Sequence, residues 1–239
     1  MREIEELIKN SEKYNTAVLQ QKFKSKKNTV AYVTIDNKPR VLKWFVPGLK
    51  QRMKVEFNIL KKGSSKLNIP QTFELDEDNN VLITSYLIGE NLCDMINDEN
   101  TTFDEKKRLI ILLSDWFFEF HNFFKTQDEF IIRGDSSLRN FIFTDKIWGV
   151  DFEEARKGKP VEDLSEMCAS ILLTNPMFTK EKFKLCQLLL ESYIKKVPGR
   201  IINNVNSEIA FKLLEKIQYR PKDEEIIRKY SNKIRKTGL

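Results

Sequence analysis

Two short apolar runs constrain this chain more than any other feature: residues 141–144 (Phe-Ile-Phe-Thr) and 147–150 (Ile-Trp-Gly-Val), separated only by Asp145-Lys146. That spacing predicts a tight β-hairpin. If 144 pairs with 147, then 141 pairs with 150, and the next pair outward is Asn140 opposite Asp151. An amide and a carboxylate then meet at the open end of the hairpin. Asp135 lies five residues before Asn140, on the loop feeding that end. Hard oxygen ligands grouped in this way suit Mg²⁺, which binds through one or two carboxylates plus the phosphates of a nucleotide. The alternative is a surface hairpin with incidental acids.

At 239 residues the chain is long enough for one large domain or for two lobes around a cleft, and 41% hydrophobic residues support a real core. No run of 18 apolar residues and no charged-then-apolar leader occurs, so no membrane partner and a cytoplasmic location are expected. Cys93, Cys168 and Cys186 are widely spaced and odd in number, which argues for buried thiols over a disulfide framework or zinc site. The one histidine, His121, sits among Phe117, Phe118, Phe120, Phe123 and Phe124 and reads as a packing residue. Charge is unevenly spread. Between Gln20 and Lys62 there are twelve Lys or Arg against two acids, a local +10 compared with +6 for the whole chain. Residues 226–239 add five basic residues and no acid. Such patches fit a polyanionic partner, or a solvated lysine-rich face.

Ala17 to Phe23, Thr29 to Ile35 and Pro39 to Phe45 read as three strands of an antiparallel meander, and Gln71 to Leu75 with Val81 to Leu87 as a further pair. Lys43 stands in the third strand, where a charge is costly unless it is paired or the strand is an edge. In the following segment Leu49, Met53, Glu56 and Leu60 share one helical face, which turns Glu56 inward. Thr102-Phe103-Asp104-Glu105 is a capping box opening a helix to about Phe124. Further helices are expected from Val161 and over 179–196, 203–217 and 221–236.

The pattern D-x-x-x-x-N from Asp135 to Asn140, a short hairpin, then hydrophobic-Asp151-Phe152 resembles the protein-kinase-like superfamily. Ser137, two residues after the Asp, is similar to the small atypical kinases of the RIO and KEOPS-complex type. The resemblance implies an α+β, two-lobed protein-kinase-like fold, with an antiparallel-sheet N-terminal lobe over 1–87 and a helical C-terminal lobe over 88–239. It implies ATP or GTP and Mg²⁺ as cofactors, with Asp135 at the acceptor hydroxyl and Asn140 and Asp151 on metal. Lys43, held by Glu56, would contact the phosphates, and the backbone at Tyr86, Leu87 and Ile88 the base. Asp163 would brace the catalytic loop.

Three departures from the family pattern stand out. No glycine precedes Gly48, so the turn Lys24-Ser25-Lys26-Lys27-Asn28-Thr29 replaces a glycine-rich phosphate loop. Arg133 stands where the family has His, and Glu153 replaces the Gly of D-F-G. The chain also resembles the stand-alone tRNA kinases, which act on a ribose 2′-hydroxyl. That resemblance and the basic surface together give tRNA as the expected substrate, with Lys24, Lys26, Lys27, Arg133 and Arg139 as its contacts. A RIO-like Ser/Thr protein kinase, a sugar or lipopolysaccharide kinase and a nucleotide-binding pseudokinase are the alternatives.

Overall fold

The computed structural model describes residues 3–25, 27–127, 129–197 and 204–239. Lys26, one of the expected RNA contacts, lies outside them. The chain divides into two compact units, residues 1–88 with 150–154, and residues 89–149 with 155–239.

The first unit opens with α1 (Glu3–Asn10), followed by β1 (Val18–Phe23), β2 (Thr29–Ile35) and β3 (Lys38–Trp44). After α2 (Lys50–Gly63) come β4 (Thr72–Asp76) and β5 (Val81–Ser85). All five strands form one sheet in the order β1-β2-β3-β5-β4, each neighbour antiparallel. Alternation decides its two faces. Ala31, Val33, Leu42, Val81 and Ile83 are buried and pack with Ile4, Tyr14 and Ala17 from the α1 segment. On the opposite face the register sets Val30 against Lys43 and Tyr32 against Val41. Lys43 is therefore in a central strand, not at an edge. On α2, Met53, Glu56, Ile59 and Leu60 are buried, as its apolar stripe requires.

The second unit contains β6 (Glu90–Asn91), α3 (Leu92–Asn97) and the long α4 (Phe103–Phe123). Thr102 caps α4 by accepting from the Glu105 N–H at 3.2 Å. β7 (Phe130–Ile132) leads through a 3₁₀ turn over Leu138–Asn140 to β8 (Phe141–Phe143) and β9 (Ile147–Gly149). Then follow β10 (Arg156–Gly158), α5 (Pro160–Leu172), α6 (Lys180–Ile194), α7 (Val205–Glu215) and α8 (Glu224–Thr237). The buried core is carried by α4, α5 and α6, including Leu109, Leu113, Phe117, Leu164, Met167, Leu185 and Leu189. No helix among the described residues is long and apolar enough to cross a membrane.

The β8–β9 hairpin corrects the expected register. Phe143 pairs with Ile147 and Phe141 with Gly149, one residue away from the sequence expectation. The cause is the turn. Thr144 leaves the ladder, its N–H bonding the Lys146 carbonyl at 3.0 Å and its hydroxyl bonding Asp145 at 2.7 Å, so the loop has three residues. The ladder ends at Phe141 and Gly149, and neither Asn140 nor Asp151 belongs to it.

Candidate active site

In the sheet unit four ionisable groups meet. Lys43 Nζ lies 2.7 Å from Glu56, 2.6 Å from Asp151 and 2.8 Å from Glu153. Lys43, Glu56 and Glu153 are buried and Asp151 is part-exposed. Burial alone would lower the Lys43 ammonium, but Glu56, Asp151 and Glu153 together outweigh it and hold the pKa above the ordinary range. Burial raises the Glu56 carboxyl, against the opposing pull of Lys43. Glu56 also accepts the Phe152 N–H at 3.3 Å, which ties α2 to the segment after Asp151. Asp151 itself adopts φ 64°, a left-handed conformation uncommon outside glycine and often found at working sites.

Glu153 and Asn28 are the residues that the sequence reading did not place here. Asn28 is buried, donates to Glu153, and accepts from the Val46 N–H at 3.4 Å. The turn that lacks glycine is thus pinned by an amide side chain. Lys27 is 3.0 Å from Glu154, which also pairs with Arg52. Lys24 is exposed, with no ion pair among the described residues. Past the end of β5, Tyr86, Leu87 and Ile88 lie in no strand, and Ile88 is exposed. The Tyr86 ring stacks on Tyr32 with centroids 4.1 Å apart and planes 6° apart, on the Lys43 face of the sheet.

In the helical unit, the loop between β7 and the 3₁₀ turn is organised by one buried carboxylate. Asp163, in the first turn of α5, accepts from the N–H groups of Arg133 at 2.7 Å and Gly134 at 3.1 Å, and from the Ser136 hydroxyl at 2.9 Å. His121 Nε2 lies 3.0 Å from the same carboxylate, and its Nδ1 lies 2.9 Å from the Tyr193 hydroxyl. Burial would raise the Asp163 pKa, but His121 and the two backbone N–H groups bring it below the usual carboxylate range. Gly134 adopts φ 78°, which explains a glycine directly before Asp135. His121 therefore packs as expected and in addition supports the loop. The sequence signal for that role was only its spacing on α4.

Beyond Asp135, the Asn140 side chain donates from Nδ2 to the Asp135 carbonyl at 3.1 Å. That bond fixes the amide orientation and leaves Oδ1 as an available acceptor. Arg139 is exposed, and its carbonyl accepts from Asn91 at 2.9 Å. Arg133 corrects an expectation. It is fully buried, with its guanidinium 4.6 Å from the Phe141 ring centroid and 5.3 Å from that of Trp116, and so presents no surface to RNA. A weakly hydrated, planar guanidinium can occupy such an aromatic slot at a cost an ammonium could not meet.

No protein-family profile and no curated protein sequence matches the chain. Solved structures do. The gentamicin complex of APH(2")-IIa aligns over 100% of this chain and 97% of its own, at 13% identity and a TM-score of 0.64. A thermostable mutant of the aminoglycoside phosphotransferase APH(4)-Ia, in ternary complex with ADP and hygromycin B, covers 100% and 99% at 11% identity and a TM-score of 0.64. A choline/ethanolamine kinase family protein from Mesorhizobium loti covers 95% and 90% at 11% identity and a TM-score of 0.60. The fold is thus the α+β, kinase-like one, with an antiparallel-sheet N-terminal lobe and a helical C-terminal lobe. The finer resemblance to RIO and KEOPS-type kinases has no support among these structures.

Proposed function

We infer that the protein is an ATP-dependent kinase that transfers the γ-phosphate to a hydroxyl of a small polar molecule. The observation that carries this reading is the Lys43–Glu56–Asp151 cluster, a lysine held over a carboxylate in a chain whose whole length follows the fold of small-molecule phosphotransferases. In this role Lys43 neutralises phosphate charge, and Glu56 holds its ammonium in place. Asp135 accepts or orients the acceptor hydroxyl proton, while Asp163 keeps the backbone under Asp135 rigid. The backbone at Tyr86, Leu87 and Ile88, outside the ladders, receives the base of ATP or GTP.

The donor set fits Mg²⁺. Carboxylate oxygens of Glu56, Asp151 and Glu153 lie within 4.8 Å of one another, and all are hard donors. Asp151 is the residue we assign to the ion. When bound it would offset the charge of the β- and γ-phosphates.

The small-molecule acceptor displaces the tRNA reading. The named relatives carry aminoglycosides or belong to a choline/ethanolamine kinase family, and none acts on RNA by name. The basic surface is also less free than its composition implies, because Lys22 pairs with Glu5, Lys27 with Glu154, and Lys50 and Lys54 with Glu77. The test is transfer from γ-labelled ATP with Mg²⁺ into an aminoglycoside panel, a polar metabolite extract, total RNA and total protein, with D135A and D151A as controls. Label is expected in a small molecule and in neither control. Label confined to RNA or protein would replace the acceptor class. No transfer with ADP binding intact would overturn the enzyme reading in favour of a nucleotide-binding module.

A further inference from the structure

The Lys43 ammonium has three N–H groups, and three carboxylates already surround it. It donates to Glu56 at 2.7 Å and to Asp151 at 2.6 Å, and Glu153 Oε2 lies 2.8 Å away as an ion pair. Lys43 is itself buried. A phosphate can therefore meet this lysine only where one of the carboxylates gives way.

The three are not equally free to leave. Glu56 is buried on α2, and its Oε1 accepts the Phe152 N–H at 3.3 Å while its Oε2 faces Lys43. Taking the ammonium away would leave Oε2 as a buried charge without a counter-charge. Asp151 is the residue assigned to the metal ion, a role that keeps it beside the phosphates. Glu153 differs from both. The same Oε2 that faces Lys43 also accepts from Asn28 Nδ2, and Oε1 lies 3.9 Å from the Arg52 guanidinium. Glu153 thus keeps a hydrogen bond and a cation when the lysine turns elsewhere.

Asn28 is set to receive it. It is buried directly before β2, and its Oδ1 accepts the Val46 N–H at 3.4 Å, which orients the amide with Nδ2 toward Glu153. Lys27, the residue before it, pairs with Glu154 at 3.0 Å. Two successive residues of the glycine-free turn therefore meet the two residues that follow Phe152.

We propose that Glu153 is an internal competitor for phosphate at Lys43, and that Asn28 is a positioning residue that takes Glu153 over when phosphate arrives. The inference rests on the kinase reading above and deepens it, because it names what sets nucleotide affinity where no glycine-rich turn is present. The exchange has a definite sign. Loss of the competitor favours the nucleotide, whereas loss of the residue that receives the competitor leaves Glu153 on the lysine and disfavours the nucleotide.

Isothermal titration of the full chain with ADP in EDTA reads this without turnover and without divalent ions. Glu153→Gln is expected to tighten ADP severalfold, and Asn28→Ala to weaken it about tenfold. Added to Glu153→Gln, Asn28→Ala should have no further effect, since no carboxylate is left to be received. An asparagine that only braced Val46 would lower affinity equally in both backgrounds. Equal losses in the two backgrounds, unchanged affinity in Asn28→Ala, or weaker binding in Glu153→Gln overturns the proposal and leaves the kinase reading standing. If Asn28→Ala does not fold, the sign of the Glu153→Gln shift decides alone. ADP bound by neither the wild type nor Glu153→Gln overturns the nucleotide reading itself, and this proposal with it.

Discussion

The sheet unit and the helical unit hold their functional residues by different physics. Around Lys43 one ammonium faces three carboxylates, and Glu56, Asp151 and Glu153 each lie within 2.8 Å of it. Around Asp163 one carboxylate collects hydrogen bonds from Arg133, Gly134, Ser136 and His121. The first arrangement is a cluster of competing charges whose pairing can rearrange when phosphate or a divalent ion enters. The second is a saturated network with no spare partner to exchange.

The sharpest way to break this contrast is Asp163→Ala. It strands a buried and a part-buried backbone N–H, a hydroxyl and an imidazole together, so unfolding stability should fall by about 3–5 kcal/mol in a urea titration. A loss under about 1 kcal/mol would mean that the network is not what holds the loop. Lys43→Met should behave differently, lowering turnover about 10²–10³-fold by the loss of a preorganised charge.

That same variant sharpens the contrast through pH. With the ammonium gone, nothing opposes the burial that already raises the Glu56 carboxyl. A raised acid favours the folded state when protonated, so the stability of Lys43→Met should decline more steeply than that of the wild type as pH rises above the ordinary Glu value near 4.3. Asp163 has the opposite sign. Its depressed folded pKa contributes stability that is complete above the ordinary Asp value near 4 and is lost as pH falls through the folded value. Acid unfolding curves should lose that dependence in Asp163→Asn.

Smaller effects are expected at the edges of the two regions. His121→Phe keeps the aromatic packing but removes one donor to Asp163 and one partner of Tyr193, and should cost about 1–3 kcal/mol with a modest fall in turnover. Smallest is Lys27→Ala, which breaks an exposed pair with Glu154 and should change stability by less than about 1 kcal/mol in thermal melts.

The parts legible in the sequence are those that follow from local pattern. Alternation gives the strand from Thr29 to Ile35 at its observed bounds, helical spacing turns Glu56 inward, and a capping residue marks the start of α4 at Thr102. What was not legible depends on side chains that meet across long sequence separations. Asn28 reaches Glu153 over 125 positions, and His121 reaches Asp163 over 42. The hairpin register failed for a local reason, since a threonine hydroxyl bonding its neighbour shortened the ladder by one residue. Arg133 was misread because charge alone predicts exposure, whereas two aromatic rings make a place for a guanidinium inside. The composition of the basic segment likewise says nothing of which lysines find acids.

The pairing of β7 with β10 has a consequence for chain length. Ile132 is held opposite Arg156, so residues 133–155 form a closed loop that carries Asp135, Asn140 and Asp151 together. The entropy of closing such a loop changes only slowly with its length, so an added residue costs little as a matter of closure. Its real cost is in phase: one insertion between Asn140 and Asp151 would rotate the segment that follows by half a pleat and exchange the faces of its side chains. What this loop should tolerate least is therefore a change in its length, even where the entropy of closure would allow it.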